Sequence, residues 1–211
     1  MEIISHRGYW KLIEEKNKCL AFQRSFSMGF GTETDVRDYN GELVISHDIP
    51  SGNEMSLDDF FKLYNASNCQ GTLALNIKSD GLYKKILCSL ENNNINNYVV
   101  FDMSVPDSLG YLKLGINILS RFSEYESENA LWSKSEGIWF DSFEGNNLDF
   151  FVISKVISSN LRAFIVSPEL HNREHLTLWA ELKTYLNTCQ NSEQIVLCTD
   201  IPEEARVYFD D

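Results

Sequence analysis

The sequence predicts a single (β/α)8 barrel, and three observations support this. Strand-like runs alternate with helical patterns along the chain, which is typical of βαβ units with parallel strands. Several runs, such as YVVF at 98–101 and IVLC at 195–198, are continuously apolar, as expected when both faces of a sheet are covered. Eight such units fit a barrel, with an open doubly wound sheet as the alternative. The length of 211 residues predicts one domain over 1–211.

The predicted strands are short, and a hairpin signal follows the second of them. Asn40-Gly41 lies between two β-branched runs, which predicts a tight turn and a return strand over 42–45. The eight barrel strands are predicted at 2–5, 32–36, 72–77, 98–101, 117–120, 137–140, 162–166 and 195–198.

Helical patterns occupy the segments between the strands. Ser56 is a suitable N-cap for the second helix, because Asp58 and Asp59 follow it in the first turn. Leu82, Ile86 and Leu90 repeat at the spacing of one helix face. The eight helices are predicted at 19–28, 56–66, 82–90, 104–114, 129–133, 148–158, 174–188 and 202–209, of which the fifth is the shortest.

The net charge of the chain limits which classes of macromolecule it can bind, and its cysteines indicate the cellular compartment. A net charge of -13 disfavours nucleic acid and an anionic membrane as the main partner, although a bound metal ion can reverse the local field for an anionic substrate. Five widely spaced cysteines without a CxxC motif indicate reduced thiols in a cytoplasmic protein. The opening MEIISHRG has no signal-peptide pattern, and no apolar run is long enough for stable membrane insertion.

Polar residues placed at the carboxyl ends of the first strands predict the site, because barrel active sites lie at that end. Two carboxylates at i and i+2 share one face of the second strand, and the hairpin returns a histidine towards them. A second i, i+2 pair ends the third strand. The candidate residues are His6, Arg7, Glu33, Asp35, His47, Asn76 and Lys78.

The residue types at these positions suit displacement at phosphorus. Glu33 and Asp35 are hard oxygen donors for Mg²⁺ or, alternatively, Ca²⁺. Arg7 and Lys78 suit an anionic oxygen, Arg through its planar fork and Lys as a point charge. Histidine side chains act as general acid and general base near neutral pH, where developing charge must be neutralised and protons moved.

At these residues the sequence resembles the glycerophosphodiester phosphodiesterase family. The family pattern is HRG after strand 1, ExD on strand 2, HD after the hairpin, ExK on strand 3 and TDxP at the final strand. The corresponding residues are His6-Arg7-Gly8, Glu33-Thr34-Asp35, His47-Asp48, Asn76-Ile77-Lys78 and Thr199-Asp200-Ile201-Pro202.

The resemblance implies a TIM-type barrel that cleaves a phosphodiester with the help of a divalent metal. It implies that His6 and His47 exchange protons with the attacking and leaving oxygens, and that Arg7 and Lys78 hold the phosphate. In the family a neighbouring substrate hydroxyl can attack phosphorus, giving a cyclic phosphate that is then hydrolysed.

The chain departs from the family pattern in two ways. The expected third acidic ligand is Asn76, which coordinates a hard cation through its amide oxygen but without a negative charge. Metal affinity is expected to fall, unless Asp102, Glu124 or Asp141 completes the shell. No large capping insertion fits between His47 and the third strand. The substrate class is therefore predicted as a small-molecule or lipid-headgroup phosphodiester.

Two alternatives stay open beside the hydrolase. The first is a phosphate-ester-binding or regulatory protein on the same barrel with weakened or lost catalysis. The second is a lyase-like phosphodiesterase that stops at the cyclic phosphate. His171 and His175 at i and i+4 resemble metal spacing, but without an acidic HExxH motif they are expected to be surface residues.

Overall fold

The computed structural model of the chain describes residues 1–145 and 148–210. Its strands are β1 (Glu2–His6), β2 (Gly31–Tyr39), β3 (Glu42–Ile45), β4 (Leu73–Ile77), β5 (Tyr98–Phe101), β6 (Leu119–Phe122), β7 (Gly137–Phe140), β8 (Arg162–Val166) and β9 (Ile195–Thr199). Its α-helices are α1 (Cys19–Ser27), α2 (Leu57–Ser67), α3 (Tyr83–Asn92), α4 (Val105–Lys113), α5 (Phe150–Ser158), α6 (Leu176–Leu186) and α7 (Pro202–Asp210).

The strand order confirms the predicted (β/α)8 barrel. Eight strands follow the order β5-β4-β2-β1-β9-β8-β7-β6, while β3 pairs with β2 outside this path. Val100 of β5 also forms a parallel bridge with Ile118, the residue before β6. Helices alternate with the strands as βαβ units require. Within residues 1–145 and 148–210, no helix is both long and apolar enough to cross a membrane.

The chain packs as two compact units, each with its own hydrophobic core. One unit comprises Ser5–Ile118, and the other comprises Met1–Ile4 with Leu119–Asp211. In the Ser5–Ile118 unit, Phe22 of α1 and Phe60 of α2 meet edge to face with ring centroids 4.7 Å apart, which anchors α1 directly after the β1–α1 loop. In the other unit, Trp179 and Ile153 lie in the core beneath β7, β8 and β9. The assignment of one domain to 1–211 stays a prediction.

The hairpin after β2 has the predicted geometry. β2 and β3 pair antiparallel, with Val36 opposite Ile45 and Tyr39 opposite Glu42. Asn40 and Gly41 both have positive φ, 49° and 88°, as a two-residue turn between twisted strands requires. The Ser46 N–H donates to the Asp35 carbonyl at 3.0 Å, so the chain entering His47 lies beside the strand that carries the two acids.

Two sequence-based boundaries are wrong. The helix predicted at 129–133 is a single 3-10 turn at Trp132–Lys134, because five residues are too few to repay the cost of helix nucleation. The strand predicted at 117–120 begins later, at Leu119, because the preceding Ile118 forms only an isolated bridge with Val100. Arg121 therefore lies within β6 rather than after it.

Candidate active site

The candidate site lies at the carboxyl ends of β1, β2 and β4, within the Ser5–Ile118 unit. Parallel pairing sets Asp35 of β2 opposite Asn76 of β4, and Val36 opposite Ile77. Glu33 lies two residues before Asp35 and so shares its face of the strand. The register brings the two carboxylates and the amide to one place, as the sequence predicted.

Asp35 is the centre of this cluster. Its carboxylate is fully buried. Oδ2 lies 3.0 Å from the Arg7 Nε and accepts a hydrogen bond of 2.8 Å from the Asn17 Nδ2. Oδ1 lies 3.5 Å from the Lys78 Nζ. Arg7 and Lys78, which the sequence assigned to phosphate, therefore contact a carboxylate that it assigned to metal.

The β1–α1 loop is tied down at both ends around this carboxylate. The Arg7 N–H donates to the Glu33 carbonyl at 2.9 Å, and the Asn17 N–H donates to the Arg7 carbonyl at 2.9 Å. Arg7 and Asn17 both adopt the left-handed conformation, with φ of 58° and 59°. Between them Gly8 has φ of 83°, and an added Cβ there would lie 2.8 Å from the Ala21 Cβ, so only glycine fits.

Asn17 is a site residue that the sequence analysis missed. It is buried, and besides holding Asp35 its Oδ1 accepts a hydrogen bond of 2.8 Å from the Thr34 Oγ1. One amide thus links the loop to two consecutive residues of β2. Its position between two lysines in a polar loop gives no periodic signal in the sequence. Its distinguishing feature, the left-handed backbone conformation, is visible only in the structure.

Glu33 has a strongly perturbed carboxyl group. Burial, followed by the charge of Asp35, raises the pKa of Glu33 to about 8. The His6 Nε2 lies 3.9 Å from the Glu33 Oε2, and the Arg7 N–H approaches the same oxygen at 3.3 Å. At neutral pH this carboxyl favours a proton unless a further cation lies beside it.

Lys78 and Asp102 extend the charge cluster to the end of β5. The Lys78 Nζ lies 3.2 Å from the Asp102 Oδ2, and the Lys78 N–H donates to the Val36 carbonyl at 2.9 Å. Lys78 therefore lies between the carboxylates of Asp35 and Asp102. The Lys78 ammonium group that forms these salt bridges is the same group that the sequence analysis assigned to phosphate.

The hydrogen bond from Ser46 to the Asp35 carbonyl brings the segment that carries His47 beside β2. The imidazole ring of His47 contacts Asp48, the next residue in sequence. The imidazole Nδ1 lies 2.9 Å from the Asp48 Oδ1, and the side chain is 44% exposed. The His47 carbonyl accepts a hydrogen bond of 3.0 Å from the Arg37 Nε. The hydrogen bond to His47 lowers the pKa of Asp48. The ring is thus oriented by Asp48 and open to solvent.

The oxygen atoms of Asp35 and Asn76 fit a hard cation. Asp35 Oδ1 and Asn76 Oδ1 are buried acceptors without a hydrogen bond, and an unpaired buried oxygen is costly. Glu33 adds a carboxylate on the same face. Across residues 1–145 and 148–210, no group of three or more His, Cys, Asp and Glu is placed to hold a metal ion. The third donor here is the amide of Asn76, so the set is two carboxylates and one neutral oxygen.

The other carboxylates suggested as ligands already have partners. Asp102 pairs with Lys78, as described above. Glu124 accepts a hydrogen bond of 3.0 Å from the Phe143 N–H. Asp141 lies 2.8 Å from the His171 Nε2. Glu124 and Asp141 belong to the other unit.

That other unit has its own polar cluster after β8 and β9. The half-buried His171 pairs with Asp141, and His175 packs on Trp179 with ring centroids 4.4 Å apart. Both histidines are partly exposed, and each has a partner that the sequence did not indicate. Glu169 accepts hydrogen bonds from the Thr199 hydroxyl and, at 3.1 Å, from the Asp200 N–H. The TDxP segment is therefore held by Glu169.

Solved structures similar to this chain include three of direct relevance. A Galdieria sulphuraria protein proposed to be a glycerophosphodiester phosphodiesterase has a TM-score of 0.78 at 14% identity, covering 100% of this chain and 98% of its own. The glycerophosphodiester phosphodiesterase of Agrobacterium tumefaciens has a TM-score of 0.72 at 14% identity, covering 99% and 98%. An Oleispira antarctica phosphodiesterase in complex with the product sn-glycerol-3-phosphate has a TM-score of 0.70 at 13% identity, covering 100% and 97%.

These likenesses extend over the full length of both chains and establish the fold. The sequence itself matches no family model and no curated protein sequence. Because one barrel fold hosts many unrelated reactions, activity has to be inferred from the residues of the site.

Asn17→Ala is expected to lower the free energy of unfolding by about 2–3 kcal/mol, because it removes a donor to the buried Asp35 carboxylate and an acceptor for Thr34. Urea denaturation measures the loss. Asn94→Ala is the matched control, because Asn94 is exposed and also left-handed, with φ of 53°. The control is expected to lose about 1 kcal/mol. Equal losses in the two variants would contradict a special role for Asn17.

Glu33→Gln is expected to flatten the pH dependence of stability. Since the folded-state pKa of about 8 lies above the ordinary value of 4.5, ionising Glu33 opposes folding. The stability that the protonated Glu33 side chain provides is therefore fully present below pH 4.5, its unfolded-state pKa, and is lost as pH rises towards 8. Urea titrations at several pH values in the presence of a chelator measure this slope. The exposed Glu14→Gln is the control and should keep the wild-type slope.

Proposed function

We propose that this chain is a phosphodiesterase of the glycerophosphodiester phosphodiesterase type, acting on a small-molecule or lipid-headgroup phosphodiester. The observation that carries the proposal is the cluster around Asp35, where Arg7 and Lys78 meet two acids and an amide at adjacent strand ends. The likeness to solved phosphodiesterases, one with sn-glycerol-3-phosphate as product, supports the same chemistry.

Arg7 and Lys78 bind the phosphate in this proposal. Both side chains are partly accessible, at 22% and 17%, whereas the Asp35 that they share is closed to solvent. An incoming anion therefore meets the two cations from the open side while Asp35 holds them from behind. Arg7 offers paired N–H donors and Lys78 a point charge, which suits two oxygens of one phosphate.

His6 and His47 move the protons. His6 lies beside the Glu33 carboxyl, which can exchange a proton with it or stabilise its charged form. His47 is open to solvent and oriented through its Nδ1 by Asp48, which leaves Nε2 for a substrate oxygen. One histidine assists the attacking oxygen and the other the leaving oxygen.

Glu33, Asp35 and Asn76 would hold a divalent metal, with Mg²⁺ preferred and Ca²⁺ as the alternative. When bound, such an ion supplies positive charge for the phosphoryl oxygens. Asp35 Oδ1 and Asn76 Oδ1, two buried oxygens that accept no hydrogen bond, support this assignment. The proposed cytoplasmic location rests on the sequence, in which five cysteines are widely spaced without a CxxC motif.

A binding protein is the second candidate, and one observation favours it. Arg7 and Lys78 are both paired with Asp35, and the third ligand position is a neutral amide. Such a site keeps affinity for phosphate esters even where charge neutralisation is too weak for turnover. The lyase-like route uses the same residues and differs only in its product.

His6→Ala and His47→Ala are each expected to lower turnover of a phosphodiester by about 10²–10⁴-fold, because each removes one proton carrier. The assay offers purified protein a panel of phosphodiesters with Mg²⁺, Ca²⁺ or chelator. His175→Ala, whose ring packs on Trp179 in the other unit, is the control and should retain activity. Binding without turnover across the panel would support the binding protein, and a persistent cyclic product the lyase.

Asn76→Glu is expected to raise Mg²⁺ affinity at least about tenfold, since it adds a charged oxygen beside Asp35. Isothermal titration calorimetry measures the change. Asn76→Gln is the matched control, because it adds the same length without charge. Unchanged affinity in Asn76→Glu would remove Asn76 from the ligand set.

A further inference from the structure

Asp102 directly follows β5 and lies at the same edge of the sheet as the candidate site. The strand register sets Phe101, the last residue of β5, opposite Asn76, and Asn76 opposite Asp35. Asp102 is the next residue beyond this row, and its carboxylate contacts Lys78, which follows Asn76 by two residues. All five residues belong to one compact unit. The β5 strand thus adds an acidic side chain to the border of the site.

The backbone of Asp102 has an unusual conformation for an acidic residue. Its φ is 77°, in the left-handed region that residues with a Cβ rarely adopt. Among the described non-glycine residues, eight have positive φ, of which six are asparagines and the other two are Arg7 and Asp102. Arg7 contacts Asp35, and Asp102 contacts Lys78, which also lies beside Asp35. The two charged residues with this conformation therefore belong to one connected set of ion pairs, and such backbone strain is typical of functional sites.

The Lys78 ammonium group contacts the two carboxylates beside it in different ways. Its Nζ donates a hydrogen bond of 3.2 Å to the Asp102 Oδ2. It lies 3.5 Å from the Asp35 Oδ1, and this buried oxygen accepts no hydrogen bond from the described part of the chain. Asp35 is fully buried, whereas Asp102 is partly exposed. Because charges attract more strongly away from water, Asp35 alone would draw the ammonium closer, and the hydrogen bond to Asp102 opposes this attraction.

We infer that Asp102 is a positioning residue that holds the Lys78 ammonium group away from the Asp35 Oδ1. In this position the ammonium is open to a phosphate oxygen, and the Asp35 oxygen is open to a divalent cation. The inference rests on the proposed function, in which Lys78 binds phosphate and Asp35 binds metal, and it adds the residue that keeps these two groups apart. Without Asp102, Lys78 would close on Asp35, and a buried ion pair would occupy both groups.

The effect on phosphate affinity separates positioning from a simple effect of charge. Removing the Asp102 carboxylate makes the site less negative, which by Coulomb attraction alone raises the affinity for an anion. If Asp102 positions Lys78, the same change lowers that affinity, because the ammonium moves towards Asp35. The two roles therefore predict opposite results for one variant.

Asp102→Gly is the variant that tests this, because glycine adopts a φ of 77° without strain and the fold should be kept. Phosphorus NMR titration measures the binding of inorganic phosphate in the presence of a chelator. Asp102→Gly is expected to weaken phosphate binding by about tenfold or more, the usual effect of losing a hydrogen bond to a charged group. Asp102→Asn keeps an oxygen acceptor and tolerates the same backbone conformation, so it should retain more of the affinity.

Two further variants show whether Asp102 acts through Lys78. Asp80→Asn is the matched control, because Asp80 is an exposed acid two residues after Lys78 and its carboxylate accepts a hydrogen bond from the Ser104 hydroxyl. This control should bind phosphate at least as tightly as wild type. Lys78→Met gives a background without the ammonium group. In that background Asp102→Gly should cause no further loss of phosphate affinity, because no ammonium is left to position.

Binding of Mg²⁺ tests the effect on Asp35. Isothermal titration calorimetry should show weaker Mg²⁺ binding in Asp102→Gly than in wild type, and a smaller loss when the same change is made in Lys78→Met. The inference would be overturned if wild type bound neither phosphate nor Mg²⁺, or if Asp102→Gly bound phosphate as tightly as wild type or more tightly. Losses of equal size with and without Lys78 would also overturn it.

Turnover of a phosphodiester panel by wild type separates this inference from the proposed function. No turnover, together with the expected losses of binding, would refute the proposed function and leave the role of Asp102 standing. Turnover by wild type, together with phosphate binding that Asp102→Gly does not weaken, would support the proposed function and refute the role of Asp102.

Discussion

The site depends on how the chain satisfies one buried carboxylate, that of Asp35. A buried charge without partners is costly, and removing one member of a buried pair exposes that cost. Three side chains contact the Asp35 carboxylate and offset this cost: Arg7 after β1, Asn17 in the β1–α1 loop and Lys78 after β4. Two segments distant in sequence, the β1–α1 loop and the end of β4, are therefore fixed by one side chain. The contacts that position the site residues are therefore the same contacts that hold the two ends of the β1–α1 loop in place.

The parts of the site that follow from backbone periodicity could be predicted from the sequence. Glu33 and Asp35 share a strand face because side chains alternate along a strand. Asn76 comes beside Asp35 because neighbouring parallel strands meet in register. The Asn40-Gly41 turn sets the hairpin, since both residues tolerate positive φ. In each case a local rule is sufficient.

The parts that depend on side-chain pairing between segments could not be predicted. The bond between Asn17 and Asp35 requires a left-handed residue at the end of an irregular loop, which no spacing rule encodes. The sequence analysis assigned Arg7 to phosphate and Asp35 to metal, although the two side chains lie 3.0 Å apart. The pairing of His171 with Asp141 could not be predicted either, because it also joins side chains from separate segments. Residue types predicted which chemistry to propose, whereas the network of side-chain contacts forms only when the loops fold.

The neutral Asn76 changes the electrostatic balance rather than merely weakening a ligand. Glu33 is already destabilised as an anion by burial and by Asp35, so a third acid at Asn76 would add repulsion beside it. Arg7 and Lys78 supply part of the positive charge that Asp35 needs. In the proposed function, a divalent cation would gain less from binding to a site with one carboxylate fewer, and Arg7 and Lys78 would carry a larger share of phosphate neutralisation. Arg7 and Lys78 thus become the residues on which an anion-binding site of this composition depends most.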